Sequence, residues 1–358
     1  MNYHANFKLG KQQIGIHEPT YFIADIASNH DGDLERAKEL IWLCKESGAD
    51  AVKFQHFKAE KIVSDFGFKQ LKQSSHQANW EKSVFDVFKD YEFNRDWNDI
   101  LKAEADKANI EFFTTPYDIE AVEEIDHLVH AYKIGSGDIT WTDFIEHVAK
   151  KDKPILIASG AATFQDIERA VNRVLEFNPN LVLMQCNTNY TGSLENFKYI
   201  NLNVLKTYAT MYPNMVLGLS DHTPGHATVL GSIALGARVI EKHFTDDNNR
   251  IGPDHPFSMN PITWREMVDR SRELELALGN GIKKVEDNEL ETVIVQQRGT
   301  YLTKDKKVGE KITESDIEFL RPAPQGIFLP FEKKELLGKR LTINKNKSEP
   351  LKKGDIDD

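Results

Sequence analysis

From Tyr21 onward the chain alternates short apolar runs with longer stretches of helical period. The runs are Tyr21–Ala27, Ala51–Phe54, Glu111–Thr114, Ala131–Ile134, Ile155–Ala158, Leu181–Met184, Val216–Leu219 and Val239–Ile240, eight in all. Between them lie amphipathic patterns such as Leu34–Glu46, Trp97–Ala108, Phe164–Leu175 and Ala227–Gly236, and Pro261–Leu278 follows the last run. Short apolar runs bounded by turn residues read as buried strands, and the 3.6-residue pattern reads as helix. Eight strand–helix units of this size predict an α/β fold, a (β/α)₈ barrel. A doubly wound open sheet is the alternative. No GxGxxG follows the first strand, so that fold lacks its usual dinucleotide signature here.

Two segments break the rhythm. Residues 57–96 form a long polar connection carrying Trp80, Phe85, Phe88 and Tyr91. A βα connection of that length has either a function, such as a lid over the barrel mouth, or a decorative role. After about Gln296 the pattern changes to short strands and turns. This tail holds a weak internal repeat, in which Val308–Ile312 with Asp316-Ile317 resembles Ser348–Leu351 with Gly354-Asp355-Ile356. The reading is a barrel over residues 1–280, a linker over 281–295 and a small pseudo-symmetric β domain over 296–358. The lysine runs at Lys304–Lys307 and Lys345–Lys353 read as solvated surface.

Charge and cysteine content narrow the function. The net charge is −11 with both signs interspersed, which argues against a nucleic-acid-binding face. An anionic substrate stays possible, because a few local lysines can hold a phosphate in an acidic protein. The two cysteines, Cys44 and Cys186, have no metal or disulfide-framework spacing, and Cys44 sits in an apolar helical stretch as a core residue. No leader pattern and no apolar run of membrane-spanning length is present, so a cytoplasmic protein is expected.

The chemistry gathers at the C-terminal ends of the strands, where barrel enzymes carry their active sites. Strand one ends in Asp25, then Ser28–Gly32. Strand two carries Lys53 and Gln55, and strand three Thr114 and Thr115. Strand four carries Lys133, then Gly135-Ser136-Gly137-Asp138. Strand five ends in Ser159-Gly160, and strand six runs into Gln185, Asn187, Thr188 and Tyr190. Strands seven and eight end in Ser220-Asp221-His222 and Glu241-Lys242-His243. Each has a plainer use alone: Asp25 can cap a turn, Lys53 can pair with a carboxylate, and a lone histidine can be structural. Their coincidence at one end of successive strands is what points to a site, because buried charges are costly without a use. Two lysines facing one mouth suit a phosphate and a carboxylate. The glycines around Ser136 let backbone N–H groups approach an anion. His222 and His243 end adjacent strands, a spacing that permits a shared divalent metal, although no HExxH or cysteine cluster accompanies them.

These motifs resemble the sialic acid synthase family. The matching stretches are Ile23-Ala24-Asp25 with Asn29–Gly32, Asp50–Gln55, Tyr132–Gly137, Gly218–Thr223, Glu241–Thr245 and Gly252-Pro253-Asp254. The tail is similar to that family's SAF (antifreeze-like) domain, through Val308-Gly309-Glu310, Arg321-Pro322 and Leu337-Gly338-Lys339. The resemblance implies condensation of phosphoenolpyruvate with an open-chain N-acylated amino sugar, giving a nonulosonic acid and phosphate. It implies a divalent cation, Mn²⁺ or Mg²⁺, on His222 and His243. It assigns catalysis to Asp25, Lys53, His222 and His243. Lys53, Thr114, Lys133, Ser136, Ser159, Asn187 and Ser220 would hold phosphoenolpyruvate. Gln55, Asp138, Tyr190, Asp254 and Arg321 would face the sugar, Arg321 reaching in from the partner of a domain-swapped homodimer. The chain departs from the pattern where the family has glutamate at Asp25 and Asp138, and a serine at Ala158, where Ser159 is the nearest substitute. It departs again at Thr188, which stands in the place of an asparagine.

Two other functions fit the same residues less fully. A related synthase acting on a sugar phosphate calls for arginines at the mouth, where the strand ends offer lysines and Arg250 is the nearest arginine. A non-catalytic protein binding through its tail would not need His222 and His243.

Overall fold

A computed structural model describes residues 2–71 and 82–357. The chain divides into two compact units, Met1–Gly279 and Asn280–Asp358.

In the first unit a hairpin, β1 (Asn6–Leu9) and β2 (Gln12–Gly15), precedes eight parallel strands. These are β3 (Tyr21–Asp25), β4 (Ala51–His56), β5 (Glu111–Pro116), β6 (Tyr132–Ile134), β7 (Ile155–Ala158), β8 (Leu181–Cys186), β9 (Val216–Asp221) and β10 (Ala237–His243). Their order is β5-β4-β3-β10-β9-β8-β7-β6, and β5 lies beside β6, so the two ends of the sheet meet. The last strand pairs with the first, Val239–His243 against Tyr21–Asp25. This closure makes the sheet a barrel rather than an open doubly wound fold.

The helices are α1 (Leu34–Glu46), α2 (Ala59–Ile62), α3 (Asp65–Gln70), α4 (Val84–Asp90), α5 (Asn98–Lys107), α6 (Ile119–Ile125), α7 (Thr142–Ala149), α8 (Phe164–Leu175), α9 (Val204–Met211), α10 (Ala227–Ala234) and α11 (Pro261–Leu278). Their starts are written locally. Asp33 caps α1 through the N–H groups of Glu35 and Arg36, and Thr163 forms a reciprocal box with Asp166 at α8. Asn260 caps α11 with Pro261 in its first turn. Among the described residues no helix is long and apolar enough to cross a membrane.

The strands divide their side chains by parity. Phe22, Val52, Phe112, Ile134, Ile157, Leu183 and Ile240 face the helices in one large core. Tyr21, Ile23, Ala51, Phe113, Leu156, Val182, Met184, Val216 and Val239 fill the barrel interior. Phe7, Leu9 and Ile14 of the hairpin join that interior cluster and plug the N-terminal end. Packing thus consumes the lower barrel and leaves the C-terminal mouth to polar residues.

Several strands run past the apolar stretches that announce them. β9 includes Ser220 and Asp221, and β10 includes Glu241–His243. The ladder continues because backbone pairing is indifferent to side-chain polarity: Glu241 pairs with Ser220 and Lys242 with Asp221. On the helix-facing side these last residues form their own network. Lys242 Nζ lies 2.5 Å from Asp221 Oδ2 and donates to the Thr223 carbonyl, and Thr223 and Thr228 hydroxyls complete the Asp221 carboxylate. Both charges are 1% exposed.

In the connection over residues 57–96, α2, α3 and α4 are described, and Phe57, Ile62, Val87, Phe88 and Tyr91 line the barrel mouth. Trp80 lies outside the described residues.

The second unit carries α12 (Leu290–Gln296), which overlaps the end of the stretch read as linker, followed by β11 (Gly299–Leu302), β12 (Ile317–Leu320) and α13 (Lys333–Leu336). β11 and β12 are antiparallel. Its core is Leu302, Ile312, Phe328, Leu336, Leu341 and Leu351. The internal repeat is structural. Lys306 Nζ donates to Lys311 O and Asp316 Oδ2, both at 2.7 Å. Lys345 Nζ donates to Pro350 O at 2.8 Å and pairs with Asp355 Oδ2 at 2.6 Å. Lys306 and Lys345 exchange backbone hydrogen bonds at the centre of this pseudo-symmetry. These two lysines are therefore buried cross-braces, not solvated surface as their runs suggest. The repeated buried aspartates, Asp316 and Asp355, draw them inward.

Two stability outcomes follow from these buried pairs. Lys242→Met strands the Asp221 charge, and urea unfolding should show a loss of about 3–5 kcal/mol. Adding Asp221→Leu should recover part of that loss, and full additivity of the two substitutions would refute the coupling. In the tail, Lys306→Met and Lys345→Met should each cost about 3 kcal/mol, since they break equivalent braces. A silent Lys345→Met beside a disruptive Lys306→Met would show that the symmetry is not energetic.

Candidate active site at the barrel mouth

Parity also builds the site. Asp25, Lys53, Gln55, Thr115, Lys133, Ser220, Glu241 and His243 continue the inward-facing series of their strands beyond the apolar layers. They open onto a cavity of about 250 Å³. The register sets neighbours side by side: Asp25 is level with Lys53 and His243, and Glu241 with Ser220.

Two lysines and two carboxylates share the cavity floor, all 5% exposed or less. Lys53 Nζ donates to Asp25 Oδ2 at 2.7 Å and to Thr115 Oγ1 at 2.8 Å, and lies 3.7 Å from Glu241 Oε1. Lys133 Nζ donates to Glu241 Oε1 at 2.7 Å and to Ser220 Oγ at 3.2 Å. Asp25 is fully engaged, because Ala27 N–H donates to Oδ1 and Gln55 Nε2 donates to Oδ2 at 2.9 Å. Burial alone would raise the Asp25 carboxyl. Lys53, His243 and the hydrogen bonds from Lys53 and Gln55 outweigh it and bring the pKa down to about 2. Glu241 Oε2, by contrast, is buried with no hydrogen-bond partner. Such an atom calls for a ligand or a proton.

Beside this group stand the two histidines, ring centroids 5.3 Å apart. His222 Nδ1 lies 3.0 Å from the Asn187 carbonyl, which can only accept, so Nδ1 carries the hydrogen and Nε2 keeps its lone pair. Burial, and then the proximity of His243, hold the His222 pKa down at about 3, so this ring is neutral. His243 Nδ1 is buried with no hydrogen-bond partner, 4.0 Å from Asp254 Oδ2. A neutral imidazole oriented by a carbonyl, beside a second imidazole with an unused nitrogen, is donor chemistry that suits a divalent cation. Among the described residues no cluster of three or more His, Cys, Asp or Glu forms a closed ligand set. A cation held here would keep most positions for water and substrate. Tyr190 packs on both rings and Phe257 on His243.

On the Lys133 side of the mouth, Ser136 Oγ and Thr188 Oγ1 meet at 3.1 Å beside Cys186, whose thiol burial pushes up to about 11. Gly160 makes this packing possible. A Cβ there would fall 2.2 Å from Ser136 Cβ and 2.4 Å from Thr188 Oγ1, and its φ is +46°.

Of the residues singled out from sequence, Asp25, Lys53, Gln55, Lys133, Ser136, Tyr190, Ser220, His222, His243 and Asp254 come together on the cavity. Others do not. Thr114 faces the helices and its hydroxyl meets His56 Nδ1 at 2.6 Å, whereas Thr115, one residue on, faces Lys53. Ser159 likewise points outward to Gln185, so Ala158 is the residue on the cavity and Ser159 does not replace it. The Asn187 side chain turns to Tyr199 O at 3.4 Å, and its contribution is the backbone carbonyl on His222. Asp138 is not on the cavity wall. It has a buried Oδ2 without a hydrogen-bond partner, and burial raises its pKa to about 6. Arg321 is an exposed residue of the second unit. The strand-end residues His30, Asp221 and Lys242 are structural, with His30 set between Phe93 and Trp97.

Glu241 was legible as a strand-end polar residue but not as a site residue. The signal that finds it is its spacing of two from His243 on one strand, which puts both on the same face. Tyr117, whose hydroxyl reaches Gln55 Oε1 at 3.4 Å, lies beyond the end of β5 and had no such signal.

The NeuB family model matches residues 40–283, and the SAF domain model matches residues 298–357. The chain is 36% identical over 333 residues to N,N'-diacetyllegionaminic acid synthase of Legionella pneumophila, covering 90% of this chain and 91% of that protein. It is 33% identical over 311 residues to human N-acetylneuraminate-9-phosphate synthase, covering 83% and 85% respectively. Among solved structures it is similar to N-acetylneuraminic acid synthetase from Leptospira borgpetersenii in complex with citrate. That likeness has a TM-score of 0.71 at 28% identity and covers 80% of this chain and 95% of that one. A closed barrel with its charged mouth, a matching family over most of that barrel and the domain that follows it lead to one statement: the chain belongs to the NeuB family and carries a SAF domain after its barrel.

Proposed function

We propose that this protein condenses phosphoenolpyruvate with an open-chain N-acylated amino sugar to give a nonulosonic acid and phosphate. The observation that carries the proposal is the buried pair Lys53 and Lys133 in the mouth, on one cavity with His222 and His243. Two buried ammonium groups match the two anionic ends of phosphoenolpyruvate, with Ser136 and Ser220 as further donors. The names of the relatives, synthases of acylated nonulosonic acids, support the same reading.

In the reaction, C3 of phosphoenolpyruvate forms a bond to the sugar's aldehyde carbon. The aldehyde oxygen takes up a proton, and positive charge develops at C2. Water adds at C2 and releases a proton, and the C2–oxygen bond to phosphate then breaks to leave the ketone. Atoms balance as phosphoenolpyruvate plus aldehyde plus water giving keto acid plus phosphate. Asp25 and Glu241 would stabilise the charge at C2, and Glu241 Oε2, buried without a hydrogen-bond partner, would accept the proton of the water. Gln55, Tyr190 and Asp254 orient the sugar. His222 and His243 would hold a divalent cation, Mn²⁺ or Mg²⁺, which when bound polarises the aldehyde. The family resemblance adds a second chain: in a domain-swapped homodimer, Arg321 of the other copy would reach the N-acyl group.

Lys53→Ala should weaken phosphoenolpyruvate binding about 100-fold or more by calorimetry. Unchanged affinity would remove Lys53 from the anion site. Since that change also strips Asp25 of its partner, Lys53→Ala with Asp25→Asn serves as the control for folding. His222→Gln should lower Mn²⁺ affinity about 10-fold or more, read from free Mn²⁺ by electron paramagnetic resonance. Equal affinity in wild type and variant would disprove the two-histidine site.

A further inference from the structure

Where β10 closes on β3, the loops that follow the two strands are tied together by a second polar network. At its centre is His255, fully buried and off the cavity wall. Its Nε2 lies 3.0 Å from Asp31 Oδ1, and its Nδ1 lies 2.7 Å from the Thr245 hydroxyl. A carboxylate only accepts, so Nε2 carries a hydrogen. Asp31 belongs to the loop after β3 and has a φ of +52°, a left-handed backbone uncommon outside glycine. Arg36 Nε meets its other carboxylate oxygen at 3.2 Å, and the same guanidinium pairs with Asp246 of the loop after β10. In that second loop Asn248 Nδ2 donates to the carbonyls of His255 and Ser258 at 2.9 and 2.6 Å. Gly252 lies against the ring edge, where a Cβ would fall 2.7 Å from His255 Cδ2.

An aliphatic side chain would satisfy packing at this place. A buried imidazole engaged at both nitrogens fixes a direction as well as a volume. The direction it fixes is that of its neighbour in the chain, Asp254, which is on the cavity wall. Asp254 Oδ2 accepts from Ser28 N–H at 3.0 Å and stands 4.0 Å from His243 Nδ1, the buried nitrogen without a hydrogen-bond partner. The Asp254 carbonyl accepts from Ser258 Oγ at 2.6 Å, which Asn29 Nδ2 reaches at 2.9 Å. A separation of 4.0 Å is too long for a direct hydrogen bond. It sets a carboxylate beside one of the two imidazoles read above as cation ligands. Carboxylates in that position tune a ligand imidazole, and their loss weakens metal binding.

We infer that His255 is a positioning residue for Asp254: held between Asp31 and Thr245, it sets where the Asp254 carboxylate stands beside His243. The inference rests on the two-histidine cation site proposed above. The test uses the full-length protein with Mn²⁺ alone as the probe, its affinity read from free Mn²⁺ by electron paramagnetic resonance. His255→Asn, too short to reach Asp31, should lower Mn²⁺ affinity about 10-fold. Deuterium exchange should rise over residues 28–33 and 252–258 and stay at the wild-type rate across β4 and β6. In an Asp254→Ala background, which lacks the group being positioned, His255→Asn should lower affinity no more than about 2-fold further. Asp31→Asn still offers Nε2–H an oxygen and tolerates the left-handed backbone, so it should stay within about 3-fold of wild type. Asp31→Ala should lose as much as His255→Asn. Four results would each overturn the inference while the cation reading stands: wild-type Mn²⁺ affinity in His255→Asn, losses that multiply fully with Asp254→Ala, equal losses in Asp31→Asn and Asp31→Ala, or exchange that rises as much across β4 and β6 as over 252–258. Absence of Mn²⁺ binding in the wild type overturns both.

Discussion

Lys53 and Lys133 stand inside a barrel with almost no access to water, and the arrangement of the mouth follows from keeping them charged there. An unpaired ammonium in such a place would be costly to bury, so the fold supplies Asp25 and Glu241 at 2.7 Å. Those carboxylates in turn need donors. Asp25 takes Gln55 and the Ala27 N–H, and one oxygen of Glu241 takes Lys133 and Ser220. Buried ion networks of this kind add little net stability, because desolvation consumes most of the Coulombic gain. Their effect is pre-organisation: in the proposed reaction an arriving anion meets charges already fixed in place.

That network is possible because the barrel separates two tasks along each strand. The lower residues pack and are closed off by the N-terminal hairpin. The upper residues are held at the same spacing by the same ladders but have no packing duty. The buried Asp221–Lys242 pair on the opposite face ties β9 to β10 immediately behind His222 and His243. The two histidines therefore sit on a doubly fastened edge, with the Asn187 carbonyl turning one of them.

Much of this was legible from period and composition. Eight apolar runs set the strand count, and polar residues at their ends marked the mouth. The neighbouring pairs Thr114/Thr115 and Ala158/Ser159 show where reading stopped. Both members of each pair are at the right height, and only the parity of the strand says which faces inward. Parity could be counted from Phe113 or Leu156 once the interior layer was known, but composition favours the hydroxyl over the alanine. In the tail, Lys306 and Lys345 look like surface residues because lysine usually is one, and the aspartates that bury them are ten positions away.

The sequence by itself determined the barrel, the tail domain and the kinds of group at the mouth, since strand period, turn residues and short motifs are local and need only a few neighbouring residues to be expressed. Tertiary structure decided which of those groups share one cavity, that Glu241 belongs among them, that Asp138 and Thr114 do not line its wall, and that Phe57, Phe88 and Tyr117 do. Those facts depend on ring closure, on inward or outward parity and on contacts between residues far apart in the chain, such as Lys133 with Glu241 and Phe57 with Tyr117. No local pattern encodes such distances, because they exist only after the strands have paired.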